Sequence, residues 1–147
     1  MGKPTNVKQL YICGKDVHSL DTGVPHAVVF VSDVQAVNLA REGAVLRHHA
    51  LFQPRGTNVN FAALQKDGSV QVRTYERGLE GESLACGTGA AAVGAIASQI
   101  YRLPNPIQIC FPGGDIDIHV TDEVRMVGRA VKVFEGKIFI EPFSPIR

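Results

Sequence analysis

The stretch GESLACGTGAAAVGAIASQI, residues 81–100, decides how this sequence folds. Cys86 is followed at once by Gly87, Thr88 and Gly89, and then by very small residues as far as Ile100. Residues 87–101 read as a helix with Ala, Val and Ile on nearly every side. A helix that is apolar all round is buried all round. Its thin side chains let other elements approach its axis closely. Pro104 and Pro106 end it, because proline cannot continue a helix.

What surrounds this helix has to come from the rest of the chain. VKQLYI reads as a short strand, and HAVVFVSD, residues 26–33, as a stronger one, apolar enough to be buried on both faces. Asp33 is the expected N-cap of a helix in DVQAVNLAREGAVLRHHALF, with Val37, Ala40, Ala44 and Ala50 near helical spacing and Gly43 against it. NVNFAAL and SVQVRTYERG read as strands joined by a tight turn at QKDG. After the helix come IQICF, DIDIHV and VRMVGRAVKVFEGKIFIEP, with turns at Gly113-Gly114 and Glu135-Gly136. Most strands therefore flank one central helix. The expected fold is α+β, a mixed or antiparallel sheet curled as a barrel-like roll around that small-residue helix. Residues 1–147 read as one domain, without the regular strand–helix alternation of a doubly wound fold.

Composition narrows the function classes. Hydrophobic residues make up 45% and charged residues 20%, a globular profile rather than a disordered one. The formal net charge is +1 and no long run of one sign occurs, which argues against a nucleic-acid or polybasic membrane surface. The first residues, MGKPTNVKQLYICGKD, lack an apolar core of signal-peptide length. The run ACGTGAAAVGAIA is too short and too rich in glycine to span a bilayer. Three widely spaced cysteines, Cys13, Cys86 and Cys110, give neither a disulfide framework nor a zinc knuckle. The expected setting is the reducing cytoplasm, with free thiols.

Cys86 sits where a helix begins. Unsatisfied N–H groups and the positive end of the helix dipole gather there. Gly87 and Gly89 let the backbone approach an anion, and Thr88 adds a hydroxyl. The motif thus offers a thiol beside a cradle for a carboxylate or phosphate. A buried structural cysteine before a glycine-rich turn is the competing reading, because free cysteine is commonly buried. Two neighbours weigh against it. TYERG places Glu76 and Arg77 at a strand end, and GTNVNF places Asn58 at the start of the preceding strand. Together they would hold the ammonium and carboxylate of an amino acid, although a lone Glu-Arg pair is usually solvated. His26, which opens a buried strand, either lines the site or is a hydrogen-bonded structural histidine. His48 and His49 face different ways on a helix and read as surface. No Asp, His or Glu set has metal-ligand spacing. Cys13 and Cys110 lie in strand-like segments and read as structural.

The motifs GESLACGTGAAA, TYERG, GTNVNF and TGVPHAVV resemble the C-terminal half of the diaminopimelate epimerase family, over nearly the whole chain. Cys-Gly-Thr-Gly alone would also fit proline racemase-like enzymes, and the other motifs make the resemblance specific. The resemblance implies two related halves, each a sheet wrapped around a central helix, and epimerisation of LL- to meso-diaminopimelate in lysine and peptidoglycan precursor synthesis. No pyridoxal phosphate, metal or other cofactor is implied. One thiol from each half would act as base and acid on opposite faces of the α-carbon. Carried over, Cys86 is one of those thiols, Gly87 and Thr88 hold the reacting carboxylate, and Glu76 and Arg77 are the substrate-binding pair. Asn58 matches an asparagine gripping the distal end, and His26 a histidine beside the reacting centre. Val24 departs from the asparagine of some relatives. The other cysteine, in an Asn-Gly-x-Arg-Cys context, has no counterpart here. The partners implied are the small-molecule substrate and the missing N-terminal half, and an apolar inter-domain surface would also allow a homodimer. Alone, the chain is expected to be inactive. The alternatives are half of a proline racemase-like enzyme, or a non-catalytic module that keeps the fold.

Overall fold

The computed structural model describes residues 2–139. Nine strands form one sheet: β1 (Thr5–Ile12), β2 (Lys15–Asp21), β3 (Pro25–Phe30), β4 (Asn58–Leu64), β5 (Val70–Glu76), β6 (Gly81–Ser83), β7 (Ile107–Phe111), β8 (Gly114–Val120) and β9 (Val124–Val127). Two helices accompany it, α1 (Leu39–Arg47) and α2 (Gly87–Tyr101). The strand order is β1-β2-β3-β4-β5-β7-β8-β9, with the short β6 paired to β5. β3 runs parallel to β4 and β5 parallel to β7, while the other pairs are antiparallel. The sheet is therefore mixed. It curls so that strands from both ends, β2, β3, β4, β7, β8 and β9, all reach α2. The α+β roll around a small-residue helix is the fold found.

The curl works because α2 is thin. Ala90, Ala91, Ala92, Val93, Ile96 and Ala97 are buried against Leu20, Val28, Ala62, Val70, Val72, Ile107, Ile109 and Ile118 from the surrounding strands. A methyl group added to Gly94 would lie 2.6 Å from the Ile118 side chain, so β8 packs on bare helix backbone. Arg102 closes α2 in the left-handed conformation at φ 53, and its N–H donates to the Ser98 carbonyl. The prolines stand just beyond.

The outer face carries a second core under α1. Ala27, Val29, Val59, Phe61 and Tyr75 meet Leu39 and Leu46 there. The strand read as buried on both faces is buried on both faces, since Val28 points to α2 while Ala27 and Val29 point to α1. Gly43 is required rather than tolerated: a methyl group there would lie 2.6 Å from Tyr75 Cβ.

Several boundaries differ from expectation. Asp33 does not cap the helix. Its carboxylate accepts from Gln35 N–H in a local turn, and α1 begins six residues later. Asn38 is the cap, accepting from Arg41 N–H, while Glu42 reaches back to the Asn38 N–H. The helix stops at Arg47, and Ala50–Phe52 forms a separate 3₁₀ turn. β2 and β6 were not foreseen. The QKDG turn is present, with Gly68 N–H donating to the Gln65 carbonyl. Of VRMVGRAVKVFEGKIFIEP, only Val124–Val127 pairs as a strand. Residues 128–139 carry no strand or turn, so the turn expected at Glu135-Gly136 is not formed, and residues 140–142 lie outside the described residues.

Candidate active site

Strand alternation gathers the site. On β4, Ala62 faces α2, so Asn60 and Asn58, at two-residue steps, face the same way. On β3, Val28 faces α2 and so does His26. On β5, Val70 and Val72 face α2, which carries Thr74 and Glu76 to that side. His26 and Asn58 lie side by side in the parallel β3–β4 register. Because β3 and β4 begin where β5 ends, these residues share one rim on the inner face. The N-terminus of α2 opens at that rim.

Cys86 is the N-cap of α2, in extended conformation, 7% exposed. Its Sγ accepts from Gly89 N–H at 3.4 Å and lies 3.5 Å from Thr88 Oγ1. The sulfur thus occupies one of the free donors of the first turn. The N–H groups of Gly87 and Thr88 meet no acceptor among the described residues and remain open to an anion. Thr22, at the end of β2, donates its hydroxyl to the Thr88 carbonyl at 3.1 Å, tying the turn to the sheet.

The two glycines mark close approaches. A methyl group on Gly87 would lie 3.0 Å from Met126 Sδ, and one on Gly89 only 2.5 Å from Asn60 Oδ1 and 3.2 Å from Cys86 Sγ. Met126 from β9 therefore covers one side of the helix start, and Asn60 from β4 supports the other.

Asn58 is buried, and its Oδ1 accepts from Arg77 N–H at 2.8 Å. Its Nδ2 is left as a donor without an acceptor among the described residues. The Arg77 guanidinium donates to the Arg55 carbonyl, and the Glu76 carboxylate has no ion-pair partner among the described residues. His26 is fully buried, and burial lowers its pKa to about 4, so its ring is neutral near pH 7. Its Nδ1 lies 3.0 Å from Asn60 Nδ2. Thr74 donates to Asn60 Oδ1 at 2.9 Å.

Cys86, Gly87, Thr88, Asn58, Glu76, Arg77 and His26 thus meet at one end of the fold. Sequence reasoning did not single out Thr22, Asn60, Thr74 or Met126. A signal for Asn60 was present: it is a polar residue inside the apolar strand NVNFAAL. The other thiols are apart from this end. Cys13 is exposed in the β1–β2 turn rather than buried in a strand. Cys110 lies in β7, where burial, with Asp115 beside it, pushes the thiol up to about 11. Among the described residues no three His, Cys, Asp or Glu side chains gather as a metal site, and no helix is long and apolar enough to cross a membrane.

The class of protein is given first by the fold. The structure resembles a phenazine biosynthesis PhzF-family protein of Enterococcus faecalis, with a TM-score of 0.53 at 12% identity, over 83% of this chain and 42% of that one. It also resembles a putative phenazine biosynthesis PhzC/PhzF protein of Clostridium difficile (TM-score 0.50, 14% identity, 80% and 40% covered). At those identities the likeness is one of fold alone: a sheet rolled around a central helix.

The sequence is more specific. The model of the diaminopimelate epimerase family matches residues 18–137, and the chain belongs to that family. It is 46% identical over 132 residues to the diaminopimelate epimerase of Hydrogenobaculum sp., covering 86% of this chain and 47% of the relative. Against the diaminopimelate epimerase of Aquifex aeolicus it is 43% identical over 139 residues, covering 89% and 50%. The chain spans about half the length of the curated relatives it matches.

Proposed function

We propose that this chain supplies one half of an amino-acid epimerase site acting on diaminopimelate, and that Cys86 is its acid/base thiol. The observation that carries the reading is the pairing of Cys86 Sγ with the two open N–H groups of Gly87 and Thr88 at the start of one buried helix. An α-carboxylate seated on those N–H groups brings its α-carbon beside the sulfur. As thiolate, Cys86 takes the α-proton; as thiol, it returns one in the reverse direction. The carboxylate gains negative charge as the carbanion forms, and the helix N-terminus stabilises it there.

The rim supplies the remaining contacts. Glu76 holds an ammonium group, and Asn58, with its Nδ2 left as donor, and Arg77 hold the distal carboxylate. Val24 offers no side-chain hydrogen bond to that end, so the distal contacts rest on Asn58 and Arg77.

Inversion needs a second group on the opposite face of the carbon, and Cys86 serves only one. We place that second thiol on a complementary half, with residues 1–147 read as one domain. Two observations support this. The family relatives are about twice as long as the matched region. Leu79, Leu84, Met126 and Val127 expose apolar side chains on the segments flanking α2, and Val131, Val133, Phe134, Ile138 and Phe139 follow, nearly fully exposed. A second half gives these side chains a partner. The chain alone is then inactive.

The test is proton exchange at the α-carbon of LL- and meso-diaminopimelate in heavy water. It is run with the chain alone, with a complementary N-terminal half, and with Cys86→Ala in that mixture. Exchange only in the unmutated mixture is the expected result. Exchange by the chain alone would refute the two-half site. Silence from folded, associated halves would point to another amino acid or to a non-catalytic module.

A further inference from the structure

The Thr88 carbonyl and the Gly89 N–H are the two ends of one peptide group. The N–H donates to Cys86 Sγ at 3.4 Å, and the carbonyl accepts from the Thr22 hydroxyl at 3.1 Å. The two bonds are therefore one chain, from the hydroxyl through the peptide to the sulfur. A peptide group conjugates its carbonyl with its nitrogen. A donor at the oxygen draws electron density toward it and leaves the N–H a stronger donor. A carbonyl has two lone pairs, and in a helix one takes the N–H four residues on. The hydroxyl thus adds a second bond without displacing the helical one.

Thr22 is held where this bond needs it. It stands in the turn from β2 to β3, 66 residues from Thr88 in the chain. Its own N–H donates to the Val24 carbonyl, and the next N–H, of Gly23, to the Asp21 carboxylate. The sulfur has few other polar neighbours. Among the described residues it contacts only the Gly89 N–H and the Thr88 hydroxyl, 3.5 Å away. The first turn of α2 carries no acidic or basic side chain. The charged and titratable groups at this end come from the sheet: Asp21, paired with Arg55, where β2 ends, His26 on β3, and Glu76 and Arg77 where β5 ends. β9 brings Met126 to the helix start. Among the described residues none of these bonds to the sulfur or to the Thr22 hydroxyl.

We propose that Thr22 is a positioning residue for Cys86: its hydroxyl, acting through the Thr88–Gly89 peptide, strengthens the N–H bond to the sulfur and so favours the thiolate. The inference rests on the reading of Cys86 as an acid/base thiol. The helix N-terminus acts on any group placed there, whereas this chain ends on the sulfur alone.

The test compares Thr22→Val and Thr22→Ala, which remove the hydroxyl, with Thr22→Ser, which keeps it. Cys86 is alkylated with iodoacetamide across pH 5–10 and followed by peptide mass spectrometry, which separates it from Cys13 and Cys110. Without the hydroxyl, the midpoint of the alkylation profile should move up by about half a pH unit, or about threefold less alkylation at neutral pH. Thr22→Ser should restore the original midpoint. In proton NMR of the chain, the Gly89 amide should move upfield in Thr22→Val while the amides of Gly87 and Thr88 stay in place. A merely structural tie would shift all three amides together and leave the midpoint where it was, and either result overturns the proposal. So does a serine variant that behaves like the valine one. In the mixture with the complementary half, the acid limb of kcat/KM for α-proton exchange should move with the alkylation midpoint. An unmutated mixture that shows no exchange, with the midpoint and the Gly89 amide moved as expected in the variants, refutes the epimerase reading and supports the role of Thr22.

Discussion

Replacing His26 with glutamine should flatten the acid limb of this protein's stability curve. Burial lowers the His26 pKa from 6.5 to about 4 in the folded chain. The unfolded chain therefore binds a proton between those values that the folded chain refuses. The contribution of His26 is full above pH 6.5 and is lost as the pH falls toward 4. A shift of this size is worth about 3 kcal/mol. Glutamine offers an amide oxygen to the Asn60 N–H and does not titrate. The stability difference between the wild type and His26→Gln should therefore shrink by about 3 kcal/mol from pH 7 to pH 4. Urea unfolding followed by circular dichroism at half-unit steps of pH measures it. Glu42 and Glu82, held below the usual carboxylate range by Lys15 and Arg73, titrate alike in both proteins and cancel in the difference. A difference that stays constant from pH 7 to pH 4 would refute the neutral buried ring.

Other outcomes follow from the packing. Gly94→Ala drives a methyl group into Ile118 and should lower stability by about 1–3 kcal/mol, read as a fall in Tm. Gly89→Ala displaces Asn60 Oδ1 or the Cys86 side chain, and should abolish exchange in the reconstituted mixture while circular dichroism shows the fold retained. Arg73→Ala removes a two-point pairing with Glu82, 2.7 Å at each contact, together with bonds to the Val34 and Val37 carbonyls. It should destabilise by about 1–3 kcal/mol and speed amide exchange in β6. Cys110, with its thiol pushed up to about 11, should alkylate at neutral pH far more slowly than the exposed Cys13, as peptide mass spectrometry would show.

How far the sequence could be read depended on how local each signal was. The range of α2 was legible because small apolar residues on every side have one solution, and because Pro104 and Pro106 bound it. The span of β4 was legible from its apolar run. The start of α1 was not: Asp33 and Asn38 are both good caps, and only the reach of Glu42 back to the Asn38 N–H favours the later one. β2 alternates weakly, since the two buried apolar residues of KDVHSLD, Val17 and Leu20, fall on opposite faces, and it takes its strand character from pairing with β1 and β3. For the site, the cysteine, the glycines and the Glu-Arg pair announced themselves. The supports did not, because Thr22, Thr74 and Met126 are ordinary residues until the roll brings them to the helix start.

The thinness of α2 and the chemistry at its N-terminus are one design. A sheet that closes around a helix must approach it from nearly every side, and α2 meets it mainly with Gly and Ala, with Val93 and Ile96 the larger side chains buried there. At Gly94 that demand is purely structural, and Ile118 fills the space. At Gly89 and Gly87 the same lack of a side chain admits Asn60 from one strand and Met126 from another, and leaves the first N–H groups bare between them. Ala at either position would move a wall of the site, and a bulkier residue would cover the cradle. The composition that lets the roll close therefore also keeps its end open for an anion, with the thiol fixed beside it as the N-cap of the helix. A larger residue in this segment should impair the fold near Gly94 and the chemistry near Gly87 and Gly89, and the gradient between those two effects along the helix is what paired stability and exchange measurements would trace.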